Sequence, residues 1–174
     1  MKTLRKIILA FLFTTNFLFA MEYNYILNDN CINNLFTEAQ YYFQDTNIEI
    51  VKDARGLILR QVFEDSTIEN NYIDINLFKK IEYFLAKIEN FAIIEVHVED
   101  IPNGKFSNLK KWEASTIIAN DIEAIITKPF GEIDSRRIKS IGYGEFLPIN
   151  NTPYNGSNKS NRVDIIILCN IIGE

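Results

Sequence analysis

The run from Arg162 to Ile172, RVDIIILCNII, constrains the fold more than any other segment. A strand with one wet face alternates apolar and polar residues. This run is apolar for too long to do so, and is expected to be a central strand covered on at least one face by helices. The layer to cover it is visible upstream. Leu77, Phe78, Ile81, Phe84, Leu85 and Ile88 recur at the three-four spacing of a helix over 74–89. Asp74 is its N-cap, and Lys79, Lys80, Glu82 and Lys87 take its wet side. The β-branched segment FAIIEVHV (91–98) follows as a strand.

A second helix is expected from Leu109 to Thr127, with Trp112, Ser115, Ala119, Ile122 and Ile126 on one side and Pro129 and Gly131 ending it. RRIKSIGYG (136–144) reads as a further strand. Residues 48–63 alternate around Gly56 and read as a strand or hairpin. The order strand, helix, strand, helix, strand, strand predicts a two-layer α/β (α+β) sandwich for residues 48–174. Residues 21–47 read as an N-terminal extension of weak structure, with a short helix near Leu35 to Phe43.

The first twenty residues stand apart. Lys2, Arg5 and Lys6 precede a mostly apolar run, Ile7 to Ala20, that falls short of the ~20 residues needed to span a bilayer. This is the pattern of a signal peptide, with cleavage after Ala20, and implies export to the periplasm, with outer-membrane or cell-wall association open. No cysteine follows the run, so a lipid anchor is not expected. Without residues 1–20 the chain keeps 15 basic and 23 acidic side chains, a net charge of −8. That balance disfavours electrostatic binding to nucleic acid or to an anionic membrane. Any binding to an acidic polymer has to come from a specific pocket. Two cysteines, Cys31 and Cys169, either pair in an oxidising compartment or sit apart, Cys169 packed at a strand end and Cys31 free in a loop. With a single histidine they do not form a metal site, and no cofactor is implied.

Three segments in order carry a resemblance. VEDIPNGKFSNLKKWEAST (98–116), IGYGEFLPINNT (141–152) and NKSNRVDIIIL (158–168) resemble the OmpA-like peptidoglycan-binding domain, in its flagellar-motor, MotB-like branch. The resemblance covers about residues 48–168. It implies a βαβαββ fold with a mixed four-stranded sheet and helices on one side. His97 matches the family's His-Thr-Asp histidine, Val98 replaces the threonine and Glu99 the aspartate, with Asp100 next. GYGEFLP is close to the family's Gly-Tyr-Gly-Glu-x-x-Pro. NRVDI keeps Arg162 and Asp164 but has Asn161 at the family's first arginine. Ile118 stands where the family carries its ligand-gripping arginine.

In that family an aspartate and an arginine hold the diamino acid of the peptidoglycan stem peptide. An anionic group answers an ammonium, and a guanidinium grips a carboxylate through paired hydrogen bonds. Isoleucine removes those donors, and a carboxylate facing it would lose on the order of a few kcal/mol. Two readings follow. In one, the ligand is a stem peptide with ornithine or lysine, whose ammonium pairs with Glu99 or Asp100 while Ile118 packs on its methylenes. In the other, the domain is a degenerate scaffold for a protein partner in the envelope or flagellar motor. The ligand-binding candidates are Glu99, Asp100, Asn108, Trp112, Ile118 and Arg162, around a groove between the 99–108 loop, the start of the second helix and the 145–160 loop.

Each candidate also has a plain structural reading. Ile118 lies ~40° from Ile122 on the helix and fits the core. Glu99 and Asp100 fit a solvated turn, and Arg162 and Asp164 a structural pair. Trp112 fits the core or a groove wall, His97 a packed strand residue, and Gly142 and Gly144 a backbone role. No nucleophile elbow, phosphate loop or metal cluster marks an enzyme, and neighbouring carboxylates on a strand point to opposite faces. The apolar N-terminal segment holds no acidic residue, which argues against a proton-conducting role.

Overall fold

The computed structural model describes residues 29–63, 74–99, 101, 106–127, 133–146 and 161–169. The expected signal segment, Asp100, and residues 64–73, 102–105 and 147–160, where loops are expected, lie outside them. Helix α1 covers 29–42 among the described residues. Then come β1 (Glu49–Asp53), β2 (Gly56–Phe63), α2 (Ile75–Ala86), β3 (Ala92–His97), α3 (Lys111–Thr127), β4 (Ile138–Gly144) and β5 (Asn161–Leu168). The strands form one mixed sheet in the order β1-β2-β5-β3-β4. Strand β5 is third of five and antiparallel to β2 and β3, while β3 and β4 are parallel. The apolar C-terminal run is therefore central, as its composition requires.

The sheet has five strands where the resemblance implies four, because residues 49–63 form a hairpin. Its turn is set by Asp53, whose Oδ1 accepts the Arg55 backbone N–H at 3.0 Å and the Arg55 Nε–H at 2.8 Å. Pairing then runs from Asp53↔Gly56 out to Glu49↔Arg60.

Alternation along the central strands separates two faces. Val163, Ile165 and Ile167 of β5 join Leu57, Leu59, Ile94 and Val96 in a core with the helices. Arg162 and Asp164 point the other way and are buried all the same. Helix α2 presents the expected stripe to the core, and Asp74 caps it by accepting from the N–H groups of Asn76 and Leu77 at 3.0 and 3.1 Å. Glu82, expected on the wet side, is buried. It lies one turn beyond Phe78 and ~40° round the helix, at the edge of the apolar stripe. Arg137 closes the other end of α2: its Nη2 donates to the carbonyls of Leu85, Ile88 and Asn90 at 3.1, 2.6 and 2.8 Å. Leu85 stands in the last turn, where carbonyls lack an intrahelical donor, and Ile88 and Asn90 lie just past it.

Residues 29–42 are more ordered than their composition suggests. Ile32, Leu35, Ala39 and Phe43 join the same core as the sheet. Phe43 and Tyr42 meet Phe84 of α2 at ring centroid distances of 5.2 and 5.3 Å. Cys31 is bonded to Cys169, just beyond β5, with a Cα–Cα distance of 5.8 Å. The reading with Cys31 free in a loop is thus corrected. The helix brings it to the end of the central strand.

Candidate functional site

Strands β3 and β4 end side by side, and α3 begins over them. Two glycines make this possible. A Cβ on Gly142 would fall 2.2 Å from Thr116 N, so α3 rests directly on the β4 backbone. Gly144 has φ +58° and would place a Cβ 2.8 Å from Trp112 N. Ser115, fully buried, ties the two elements together: its Oγ accepts from Gly144 N–H at 2.8 Å and donates to Trp112 O at 3.0 Å. The GYG segment is therefore a seat for the helix start.

That seat shapes a cleft of about 480 Å³, lined by Ile101, Leu109, Lys110, Lys111, Trp112, Glu145 and Phe146. Trp112 is 51% exposed and Phe146 65%. Trp112 is thus a wall of the cleft. Lys111 Nζ and Glu145 Oε2 pair across it at 2.5 Å. The Lys110 backbone N–H donates to Glu113 Oε2 at 2.8 Å, which caps the start of α3.

The other candidates fall in different places. Glu99 is half-buried just past β3, and its backbone N–H donates to Asn161 Oδ1 at 2.8 Å. Asn108 is exposed on the 106–108 turn and is not among the cleft-lining residues. Ile118 is 2% exposed and belongs to the core, so its expected packing against a ligand is corrected to packing inside the domain. Arg162 is likewise buried rather than open to a ligand. Its Nε donates to Asp164 Oδ2 at 3.1 Å, and Asp164 also takes a two-point bond from Arg60, at 2.7 Å from Nε and 3.1 Å from Nη2. Glu95, next in register, accepts from Arg55 at 2.9 Å, and burial raises its pKa. The sheet face away from the helices thus carries a buried ionic layer.

His97 is a packed strand residue. Its ring stacks on Tyr143 at 5.2 Å, and Nδ1–H donates to Phe146 O at 3.2 Å. Burial, helped by the Arg162 charge, lowers its pKa to about 4. The ring is neutral at pH 7, so Glu95 Oε2, 4.0 Å from Nε2, does not form an ion pair with it. Among the described residues no group of three His, Cys, Asp or Glu is placed to hold a metal ion. No described helix is long and apolar enough to cross a membrane.

No family model and no curated protein sequence matches the chain. Solved structures do. A MotB-like protein from Desulfovibrio vulgaris is similar at a TM-score of 0.66 and 18% identity, over 84% of this chain and 96% of that one. The cell wall anchor of the T6SS from Pseudomonas aeruginosa follows at 0.56 and 12%, over 79% and 96%. The periplasmic domain of Helicobacter pylori MotB has 0.56 and 18%, over 71% and 82%. The chain therefore has the OmpA-like fold of MotB periplasmic domains, in a divergent form.

Sequence reasoning missed several residues that build the cleft. Glu145 and Phe146 lie in the 145–160 loop expected to wall the groove but were not singled out as binding candidates, and Ser115 read only as one position on a helix face. Asn161 read as a departure from the family pattern, and it is the side chain that fixes Glu99. Nothing local marks it: the two residues are 62 positions apart.

Proposed function

We propose that the chain is an exported, non-catalytic module of the cell envelope that binds peptidoglycan non-covalently. The observation that carries this reading is the open cleft at the ends of β3 and β4, with charged groups on its rim, in a fold shared with MotB periplasmic domains. Glu99, held through its backbone by Asn161, and its neighbour Asp100 are the groups assigned to the ammonium of the stem peptide. Position 118 supplies no guanidinium for a second carboxylate and is sealed in the core. The favoured ligand is therefore a stem peptide with ornithine or lysine, which carries an ammonium and no second carboxylate. The net charge of −8 after removal of residues 1–20 gives no long-range attraction to an anionic polymer, so recognition rests on these short-range contacts.

A sacculus pull-down tests the reading. The chain lacking residues 1–20 is mixed with walls of diaminopimelate type and of ornithine or lysine type. Binding to the second type alone, lost in Glu99→Ala or Asp100→Ala, is the expected result. Equal binding to both would remove the diamino-acid assignment. No binding to either would remove the wall reading and leave a scaffold for a protein partner.

A further inference from the structure

Glu95 and His97 alternate with Ile94 and Val96 on β3, so both side chains lie on the sheet face away from the helices, and both are buried. The Phe146 carbonyl can only accept a hydrogen bond, so the nitrogen beside it, His97 Nδ1, carries the ring proton at pH 7. Nε2 is then a bare acceptor. It is buried without a hydrogen-bond partner, and Glu95 Oε2 stands 4.0 Å from it. Two acceptors thus face each other with no proton to join them. Such an arrangement costs free energy in a buried site, and one added proton removes the cost. It makes no difference to the outcome which of the two takes it, because either Nε2–H or the carboxyl O–H can donate to the other.

The surrounding groups set when that proton arrives. From β5, Arg162 lies opposite His97 and Asp164 opposite Glu95. Arg60 of β2 binds Asp164, and Arg55 of the β1–β2 turn binds Glu95 Oε1. Tyr143 of β4 stacks on the imidazole, and Glu99 follows His97 by two positions. Burial, then the Arg162 charge, oppose an imidazolium, while Asp164 favours it; burial also favours the protonated form of Glu95. The consequence reaches the cleft. A hydrogen bond between Nε2 and Oε2 requires the 4.0 Å gap to close by about 1 Å. Glu95 is held by Arg55, so the ring makes the move, sliding over Tyr143 and drawing on Phe146 O, 3.2 Å from Nδ1. Phe146 lines the cleft with Trp112. We propose that Glu95 and His97 form a buried one-proton site that couples acidification to the position of Phe146 in the cleft wall. As a control on binding it rests on the peptidoglycan reading above, but it acts on the wall itself and is measured without ligand, so the two fail separately.

The chain has a single histidine and a single tryptophan, so two signals separate cleanly. In the purified protein with isotope-labelled histidine, the ring nitrogens report His97 by NMR, and tryptophan emission reports Trp112. Both are followed from neutral to acid pH, with far-UV circular dichroism to confirm that the fold persists. The ring is expected to carry its proton on Nδ1 at pH 7 and to show one transition well below the ordinary 6.5. Trp112 emission should shift with the same midpoint. Glu95→Gln sets an amide donor beside Nε2 without any added proton. Its emission at pH 7 should already match the acid form of the native chain, and acid should change it little. His97→Gln should hold the emission constant over the same range. The joint titration is made on the unaltered chain, so it decides the matter even where a variant fails to fold. A His97 transition at or above 6.5, or Trp112 emission that stays flat across the transition, would overturn the proposal. So would an emission shift that survives in His97→Gln, which would arise from a carboxylate such as Glu145 in the cleft.

Discussion

Replacing Gly142 by alanine tests whether the glycines of β4 seat a helix. Taken alone, the strand should welcome alanine, because glycine loses more conformational freedom on folding, worth roughly 0.5–1 kcal/mol. The packing reverses the sign. The added Cβ would lie 2.2 Å from Thr116 N and 2.6 Å from Ser115 C and Oγ, well inside ordinary contact. Two of these atoms belong to the α3 backbone, so no side-chain rotation relieves them, and the helix start has to retreat by about 1 Å. Overpacking of this kind costs roughly 1–3 kcal/mol. It also pulls Ser115 away from Gly144 N–H, a buried donor worth roughly another 1 kcal/mol. The net expectation is a loss of about 2 kcal/mol, or a fall of about 1 M in the urea midpoint. Urea unfolding followed by far-UV circular dichroism measures it. Lys139→Ala, exposed on the same strand, should move stability by less than about 0.5 kcal/mol. A midpoint for Gly142→Ala that is unchanged or raised would refute the reasoning, since propensity alone would then decide the outcome.

Three further outcomes follow from the buried polar groups and the disulfide. Asp164→Asn leaves Arg60 and the buried Arg162 facing a neutral amide and should cost about 3 kcal/mol; a near-zero coupling between Arg60→Met and Asp164→Leu in a double-mutant cycle would contradict this. His97 titrates near 4 in the folded chain and near 6.5 unfolded, so its contribution is complete above pH 6.5 and lost as pH falls toward 4, reaching about 3 kcal/mol. His97→Gln should flatten the stability curve in that window, and an unchanged slope would show that other groups set it. Cys31 and Cys169 are 138 residues apart, so replacing both by serine should cost about 4–5 kcal/mol by the chain-entropy account, and the unreduced protein should release no free thiol in denaturant.

What the sequence reveals about this fold is periodic and local. The stripe of α2, its Asp74 cap and the central place of β5 each depend on neighbours within one element. The features it hides depend on distant pairings. The ionic layer joins Asp164 to Arg60 across 104 positions, and Arg137 reaches the carbonyls of Leu85 and Ile88, 52 and 49 positions away. Cys31 pairs with Cys169 only because α1 packs its own stripe into the core, and the polar, asparagine-rich surroundings of Cys31 conceal that stripe. Glu82 was misplaced because an ideal helical wheel has no sharp edge between core and solvent.

The site follows the same division. Glu99, Trp112 and the GYG segment stand out as motifs, yet the cleft is walled by three stretches, around Ile101 and Leu109, at Lys111 and Trp112, and at Glu145 and Phe146. What joins the last two is the missing side chain at Gly142 and the single hydroxyl of Ser115. The same contact fixes the fate of position 118. With the start of α3 drawn onto β4, the next turn of that helix lies flat on the core and buries Ile118. An arginine at this position would have to lead its charge out from beneath the helix to reach a ligand. The burial of Ile118 and the exposure of Trp112 are thus linked through one helix, whose inner face is sealed against the core and whose first turn lies open.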